Sequence, residues 1–178
     1  MNYRNIKKRI RRKIISHTSS HKLKVKLLRR EGMKIGENCE VYTSAFGNEP
    51  YLIEIGDNVR IGVGTRFSNH DGGVCIFRDE HPNLMVFGKI KIGSNTFIGV
   101  NCNILYNTTI GENCIVAAGS VVKGTFPENS VIMGNPAKVV MKTSIFKTMS
   151  LSNKGRVDIT NWNETEKDKV VKKHFGVF

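Results

Sequence analysis

The stretch "IGSNTFIGVNCNILYNTTIGENCIVAAGSVV" (92–122) repeats with a period of six residues. An α-helix turns once in about 3.6 residues, so this period does not place the large apolar side chains on one helical face. The chain is therefore predicted to be extended over most of its length. The large apolar positions are Ile35, Val41, Ile55, Ile61, Phe67, Ile92, Ile98, Ile104, Ile110, Val116 and Val122.

A second class of residue, mostly small, follows each large one except Phe67 and Val122 after four positions. One large and one small inward side chain per six residues suit one flat side of a parallel β-helix, and three sides close a triangular coil of about eighteen residues. Glycine and asparagine in "GEN", "GDN" and "GSN" mark the corners, where positive φ is needed. The sequence thus predicts an all-β fold, a parallel β-helix. The small inward positions are Cys39, Ala45, Val59, Thr65, Thr96, Cys102, Thr108, Cys114 and Ser120.

The net charge of +13 is concentrated at the N-terminus. Residues 1–30 hold 12 Lys/Arg and no Asp/Glu, and the rest of the chain holds 16 Lys/Arg against 15 Asp/Glu. Neither a membrane-spanning apolar run nor a signal-peptide core is evident, so we expect a cytoplasmic protein. The four cysteines form no C-x-x-C pair, and a disulfide framework is not expected. Of these, Cys75 lies off the repeat.

The repeat breaks at "SNHDGG" (68–73). Phe67 is the last large residue in phase and Ile92 the next, so an excursion of the chain is expected over about 70–89. Histidine is the side chain best suited to move a proton near neutral pH. The break therefore marks a candidate functional loop.

The repeat, together with the terminal stretch "AAGSVVKGTFPENSVIMGNPAKVV" (117–140), resembles the hexapeptide-repeat acyltransferases. The resemblance covers about residues 31–142 and points to the sugar or polysaccharide O-acetyltransferase-like branch. It implies a left-handed parallel β-helix, a homotrimer with its site between neighbouring subunits, and acetyl-CoA as co-substrate. Three parts are expected: a basic amphipathic segment (1–30), the β-helix (31–142) and a C-terminal tail (143–178).

In this family a loop at the break carries the catalytic histidine, which implies that His70 is the general base. Asp71 is expected either to orient the imidazole or to bind the acceptor, because neighbours in sequence rarely face each other. Asn69 and Arg78 are candidate acceptor contacts. A second histidine, His81, is the weaker candidate for the base. Because it precedes a proline, we expect it to anchor the loop.

The resemblance also implies the coenzyme contacts. Val100, Ala118, Lys123 and Gly124 fall at contact positions, and Lys138 in "GNPAK" would face the phosphates. Lysine suits that role as a mobile point charge. No metal ion is expected.

The terminal segments permit more than one interpretation. Ile6, Ile10 and Ile14 form a narrow apolar stripe in a basic segment, which either contacts an anionic membrane surface or packs within the protein itself. No nucleic-acid motif accompanies the charge, so a nucleic-acid partner is not expected. Near the C-terminus, "NETEKDKVVKKHF" (163–175) is compatible with a short helix.

The leading functional hypothesis is acetyl transfer from acetyl-CoA to the hydroxyl group of a sugar or oligosaccharide, in a surface polysaccharide or its precursor. An amino-sugar N-acetyltransferase using the same histidine is the nearest alternative. A non-catalytic scaffold remains a further alternative. A zinc enzyme on the same fold would need three converging histidines, and the repeat region holds only His70 and His81.

Overall fold

The computed structural model describes residues 3–159 and 163–177. Two 3₁₀ turns, Pro50–Leu52 and Gly73–Phe77, complete the regular structure. The helices are α1 Tyr3–His17, α2 His21–Arg30, α3 Thr143–Leu151 and α4 Glu164–Phe175. The strands are β1 Lys34–Ile35, β2 Glu40–Val41, β3 Ile53–Ile55, β4 Arg60–Ile61, β5 Arg66–Ser68, β6 His70–Asp71, β7 Val86–Phe87, β8 Ile90–Ile92, β9 Phe97–Ile98, β10 Asn103–Ile110, β11 Ile115–Val116, β12 Val121–Phe126, β13 Ser130–Gly134 and β14 Ala137–Lys142.

The predicted β-helix is present, but the all-β expectation is too narrow. Two six-stranded sheets pair in parallel from coil to coil except at the final β13–β14 pair. The first has the order β1-β3-β8-β10-β12, with β5 also paired to β10, and the second has the order β14-β13-β11-β9-β4-β2. The four helices lie outside the repeat, where the six-residue spacing is absent. Their residues follow helical spacing and capping instead of the strand pattern.

The core consists of columns of large side chains in register. Ile61 pairs with Ile98, Ile98 with Val116, and Val116 with Ile132, so the same inward position recurs on each coil. All four residues are completely buried. Removing a side chain of this kind from water contributes about 1.5–3 kcal/mol each, which makes these columns the main source of stability.

The small inward positions largely follow the prediction. Cys39, Cys102 and Cys114 are buried, and burial raises the pKa of all three thiols, as expected for structural cysteines. Ala45 is an exception, because it is exposed. The next residue, Phe46, turns inward in its place and stacks on Phe67 with ring centroids 4.9 Å apart.

Asparagine makes the corners. The non-glycine residues with positive φ in the described part of the chain are all asparagines, at φ between 54 and 59. Asparagine enters this left-handed region more readily than other residues with a Cβ. The glycine two positions earlier in each "GxN" serves another purpose: a Cβ on Gly111 would lie 2.5 Å from the backbone nitrogen of Glu128 on the next coil. The seven asparagines are Asn38, Asn58, Asn95, Asn101, Asn107, Asn113 and Asn129.

The N-terminal helices close one end of the β-helix. α2 packs on β1 and β2 and buries Val25, Leu27 and Leu28. Ser20 caps its first turn by accepting a hydrogen bond from the Leu23 backbone nitrogen at 3.3 Å. Ile15 of α1 joins the same core. This cap covers the apolar end of the first coil, as solenoid folds require.

The C-terminal residues from Ser144 form a separate compact unit. Within it, α4 covers the segment for which a short helix was expected, with Asn163 as its N-cap and Gly176 in the left-handed conformation after its last turn. His174 also contacts the backbone oxygen of Lys154 through Nε2 at 2.7 Å. Across the described residues, we find no helix both long and apolar enough to cross a bilayer.

We predict that Asn38→Ala destabilises the protein by about 1–2 kcal/mol, because alanine is penalised at positive φ. Asn38→Gly is the matched control and should lie within a few tenths of a kcal/mol of the wild type, since glycine adopts this conformation freely. Chemical denaturation measures both. Equal losses in the two variants would show that the asparagine side chain matters more than the backbone conformation.

Candidate active site

The excursion leaves the β-helix after β5 and returns at β8. At its root, β6 pairs antiparallel with β7, so that His70 lies opposite Phe87. β10 pairs with β5 through residues 103–105 and with β8 through residues 108–110. The excursion therefore opens beside Tyr106 and Asn107, which lie between these two pairings.

His70 forms a pair with a carboxylate. Its Nδ1 lies 3.1 Å from Oε2 of Glu49, and the two side chains are 37% and 17% exposed. Because a carboxylate only accepts, the neutral imidazole donates from Nδ1 and keeps its lone pair on Nε2. The ring also meets Phe87 edge-on, with centroids 6.2 Å apart. The geometry thus prepares Nε2 to accept a proton.

Asp71 does not fill the orienting role that was one of its two expected functions. Consecutive side chains of a strand point to opposite faces, and Asp71 follows His70 directly in β6. Its Oδ2 accepts a hydrogen bond from the Tyr106 hydroxyl at 2.6 Å, and its Oδ1 accepts from the Gly73 backbone nitrogen at 2.9 Å. The carboxylate that meets the imidazole comes from Glu49 instead.

These contacts favour the ionised form of Asp71. The hydrogen bond from Tyr106 lowers the pKa of the Asp71 carboxyl most, followed by the bond from Gly73 and the nearby charge of Lys123. Lys123 Nζ donates to the Tyr106 hydroxyl at 2.8 Å and lies 4.0 Å from the centre of the ring. Asp71, Tyr106 and Lys123 therefore form one polar chain, which we call the Asp71 cluster. The cluster thus links Lys123, which was predicted to contact the coenzyme, with Asp71, which was predicted to act beside His70.

Asn69 is not available to an acceptor. Its side chain is completely buried, and Nδ2 donates to the backbone oxygen of Glu49 at 2.5 Å. The end of the excursion is fixed at the same point. The backbone nitrogen of Gly88, directly after β7, donates to the Asn69 backbone oxygen at 3.0 Å. The predicted acceptor contact is therefore wrong for Asn69. This residue instead holds Glu49 beside His70.

The remaining polar residues of the excursion point outward. Arg78 is exposed at the end of the 3₁₀ turn Gly73–Phe77, and Cys75 and His81 are exposed as well. The role of Arg78 in acceptor binding stays a prediction. In the described part of the chain, no group of three or more His, Cys, Asp or Glu side chains is placed to hold a metal ion.

The predicted coenzyme positions lie on the outside of the β-helix. Val100 and Ala118 are exposed at one corner on successive coils, which are joined by a 2.9 Å hydrogen bond from Gly119 N to the Val100 backbone oxygen. Gly124 has φ of +113°, and a Cβ there would meet no atom within 4 Å, so the backbone is open on that side. Lys138 is exposed on β14.

Glu49 and Tyr106 are the two residues of this site that sequence reasoning missed. Glu49 lies 21 positions from His70, in a turn that the repeat does not describe. The sequence held one signal for Tyr106. The six-residue repeat is interrupted at the excursion, and Tyr106 belongs to the strand that lies beside this interruption. The pairing of β10 with both β5 and β8 places it at that gap.

Comparisons with known proteins agree with this fold. The family model described as "Bacterial transferase hexapeptide (six repeats)" matches residues 89–124. Protein CapG of Staphylococcus aureus is 42% identical over 140 residues, which cover 77% of this chain and 81% of CapG.

Two solved structures share the architecture. Galactoside acetyltransferase in complex with coenzyme A matches with a TM-score of 0.63 and 23% identity, over 86% of this chain and 87% of that one. A hexapeptide-repeat-containing acetyltransferase from Vibrio cholerae, also solved with acetyl coenzyme A, matches with a TM-score of 0.60 and 22% identity, over 74% of this chain and 86% of that one. At these identities the likeness concerns the fold.

We predict that Tyr106→Phe raises the pKa of the Asp71 carboxyl towards the ordinary value of about 3.9, because it removes the donor to Oδ2. In the wild type the lowered pKa of Asp71 stabilises the folded state at pH values above about 3.9. This stabilisation is lost as the pH falls through the pKa that Asp71 has in the folded protein. NMR titration of the Asp71 carboxyl carbon measures the shift. Tyr51→Phe, at a ring that is 63% exposed, is the control and should leave it unchanged. An unmoved Asp71 pKa in Tyr106→Phe would contradict the hydrogen bond.

Proposed function

The chain belongs to the hexapeptide-repeat acyltransferase family, whose repeat forms a left-handed β-helix, and we propose that it transfers an acetyl group from acetyl-CoA to a sugar hydroxyl. The observation that carries the proposal is the pair of His70 and Glu49 at the root of the excursion. A half-exposed imidazole, oriented by a carboxylate and free at Nε2, is the arrangement of a general base.

The proposed step is direct transfer within a ternary complex. Nε2 of His70 removes the proton from the acceptor hydroxyl while its oxygen attacks the thioester carbonyl carbon. The bond between carbon and sulfur then breaks, and the imidazolium returns the proton to the departing coenzyme A thiolate. Glu49 stabilises the imidazolium through the 3.1 Å contact with Nδ1.

The donor in this proposal is acetyl-CoA. Val100 and Ala118 at the exposed corner and the open backbone at Gly124 suit the long, flexible arm of the coenzyme, and Lys138 supplies a charge for its phosphates. Related folds have been solved with coenzyme A and with acetyl-CoA bound. We propose that the reaction takes place in the cytoplasm, where the free thiols of this chain stay reduced.

The proposed acceptor is a sugar or oligosaccharide of a surface polysaccharide or its precursor. The Asp71 cluster lies next to His70 in β6 and presents a carboxylate, a phenol and an ammonium group. Such groups form hydrogen bonds with neighbouring sugar hydroxyls, and Arg78 adds an exposed donor on the excursion. An amino sugar acylated on nitrogen would use the same base.

We propose a homotrimer with the site between neighbouring subunits. In the single chain, large apolar side chains stay exposed near the site, including Ile76 at 75%, Phe77 at 50% and Phe87 at 44%. Exposed apolar side chains concentrated on one projecting loop are typical of an interaction surface. A neighbouring subunit would cover them.

We expect His70→Ala to lower the rate of acetyl transfer by about 10²–10⁴-fold, the usual contribution of a general base. Thiol release from acetyl-CoA, with a panel of sugars and amino sugars as acceptors, measures the rate and separates oxygen from nitrogen acceptors. His81→Ala, on the exposed part of the excursion, is the control and should retain activity. Light scattering should give the mass of a trimer for all three proteins. Full turnover in His70→Ala would refute base catalysis by this residue.

We further expect Glu49→Gln to lower kcat by up to about 10⁴-fold, with little change in KM for acetyl-CoA. The amide can donate to Nδ1 and favours the wrong tautomer, which removes the lone pair from Nε2. Glu49→Asp keeps the charge and should recover part of the activity. A loss in Glu49→Gln that appears only in KM would argue against an orienting role.

A further inference from the structure

The two N-terminal helices leave an apolar stripe uncovered. Ile6, Ile10 and Ile14, which follow one another at helical spacing along α1, are 40%, 55% and 42% exposed. Leu23 of α2 is 41% exposed and lines the same shallow groove as Ile10 and Ile14. Ile15 faces the other way and is buried in the core. The packing of α1 on the β-helix therefore does not use this stripe.

Positive charge flanks the stripe on the same two helices, and Lys13 lines the shallow groove itself. Arg9, Lys13, Lys22, Lys26 and Arg30 are exposed on the same two helices. Two other arginines are held on the packed side, because Arg11 pairs with Glu31 at 2.5 Å and Arg12 donates to Asn48 Oδ1 at 3.2 Å. No acidic residue occurs in the first thirty positions. We call the four apolar residues and the five exposed cations together the N-terminal face.

We propose that the N-terminal face binds the surface of an anionic lipid bilayer. A helix with this composition lies in the interface plane, where its aliphatic side chains enter the boundary between headgroups and acyl chains. Each Lys or Arg near such a surface contributes about 1 kcal/mol through attraction to the lipid charge. The stripe and the charge occur on the same helices, and an anionic bilayer satisfies both.

Charge complementarity also selects this occupant over a second copy of the chain. Two N-terminal faces brought together would oppose like charges with no acidic residue of residues 1–30 to offset them. A nucleic acid would neutralise the cations but would leave the aliphatic stripe in water. This proposal is independent of the acetyl-transfer reaction and concerns a different part of the molecule.

The test is co-sedimentation of the full chain with vesicles. We expect binding to phosphatidylcholine vesicles that contain phosphatidylglycerol, weakening as salt is added, and much weaker binding to phosphatidylcholine alone. Ile10→Asp should lower the affinity at least tenfold. The matched control is Ile145→Asp, which places the same change at a comparably exposed isoleucine of α3, 52% exposed, and should bind as the wild type does.

The charge is tested with paired variants of equal net charge. Lys22→Gln with Lys26→Gln should weaken binding about 30-fold, which corresponds to two cations at the value above. Lys172→Gln with Lys173→Gln, on the exposed side of α4, should have little effect. Equal losses in the two pairs would overturn the proposal, because net charge alone would then explain binding.

Three further outcomes would also overturn it. The first is no binding of the wild type to anionic vesicles. The second is a change in molecular mass in Ile10→Asp by light scattering, which would show that another copy of the chain covers the stripe. The third is tight binding of a random-sequence RNA that Ile10→Asp leaves intact and that competes with the vesicles. In each case the His70-dependent transfer would remain as measured, so failure here is distinguishable from failure of the proposed enzyme.

Discussion

The parallel register between coils is the constraint on which the rest of the structure depends. Because Ile61, Ile98, Val116 and Ile132 occupy the same inward position on successive coils, each coil is held by its neighbours both through hydrogen bonds and through buried side chains. A slip of one residue would turn these side chains to the outside. The asparagine corners at positive φ keep each side the right length for this register.

The candidate active site uses this rigid scaffold at the one place where the register is interrupted. The excursion leaves the β-helix after β5 and rejoins it at β8. Because both strands pair with β10, the root of the excursion is fixed at both ends. Asn69 strengthens that root by bonding the Glu49 backbone from a completely buried position. The β-helix thus holds the imidazole of His70 in a fixed orientation beside the exposed excursion, as the proposed reaction requires.

The two ends of the β-helix are closed differently. At the start, α2 covers the first coil with Val25, Leu27 and Leu28, which leaves the opposite face of the helix pair to solvent. At the other end, β14 turns back on β13 as the antiparallel pair of that sheet. The first device covers the end of the β-helix with helices, whereas the second ends the sheet at β14. The first also places a basic, apolar surface on the outside.

The sequence by itself determined the coil, its corners, the buried cysteines and the position of the break at His70, because a period of six residues dictates which side chains face inward. It did not identify Glu49 as the partner of His70 or Tyr106 as the partner of Asp71. These pairs are separated by 21 and 35 residues, and they meet only because the excursion folds back against a particular coil. Asn69 and Ala45 were misplaced for a related reason. Beside the break the repeat no longer specifies which side chains point inward, and the tertiary structure decided that those of Asn69 and Phe46 do.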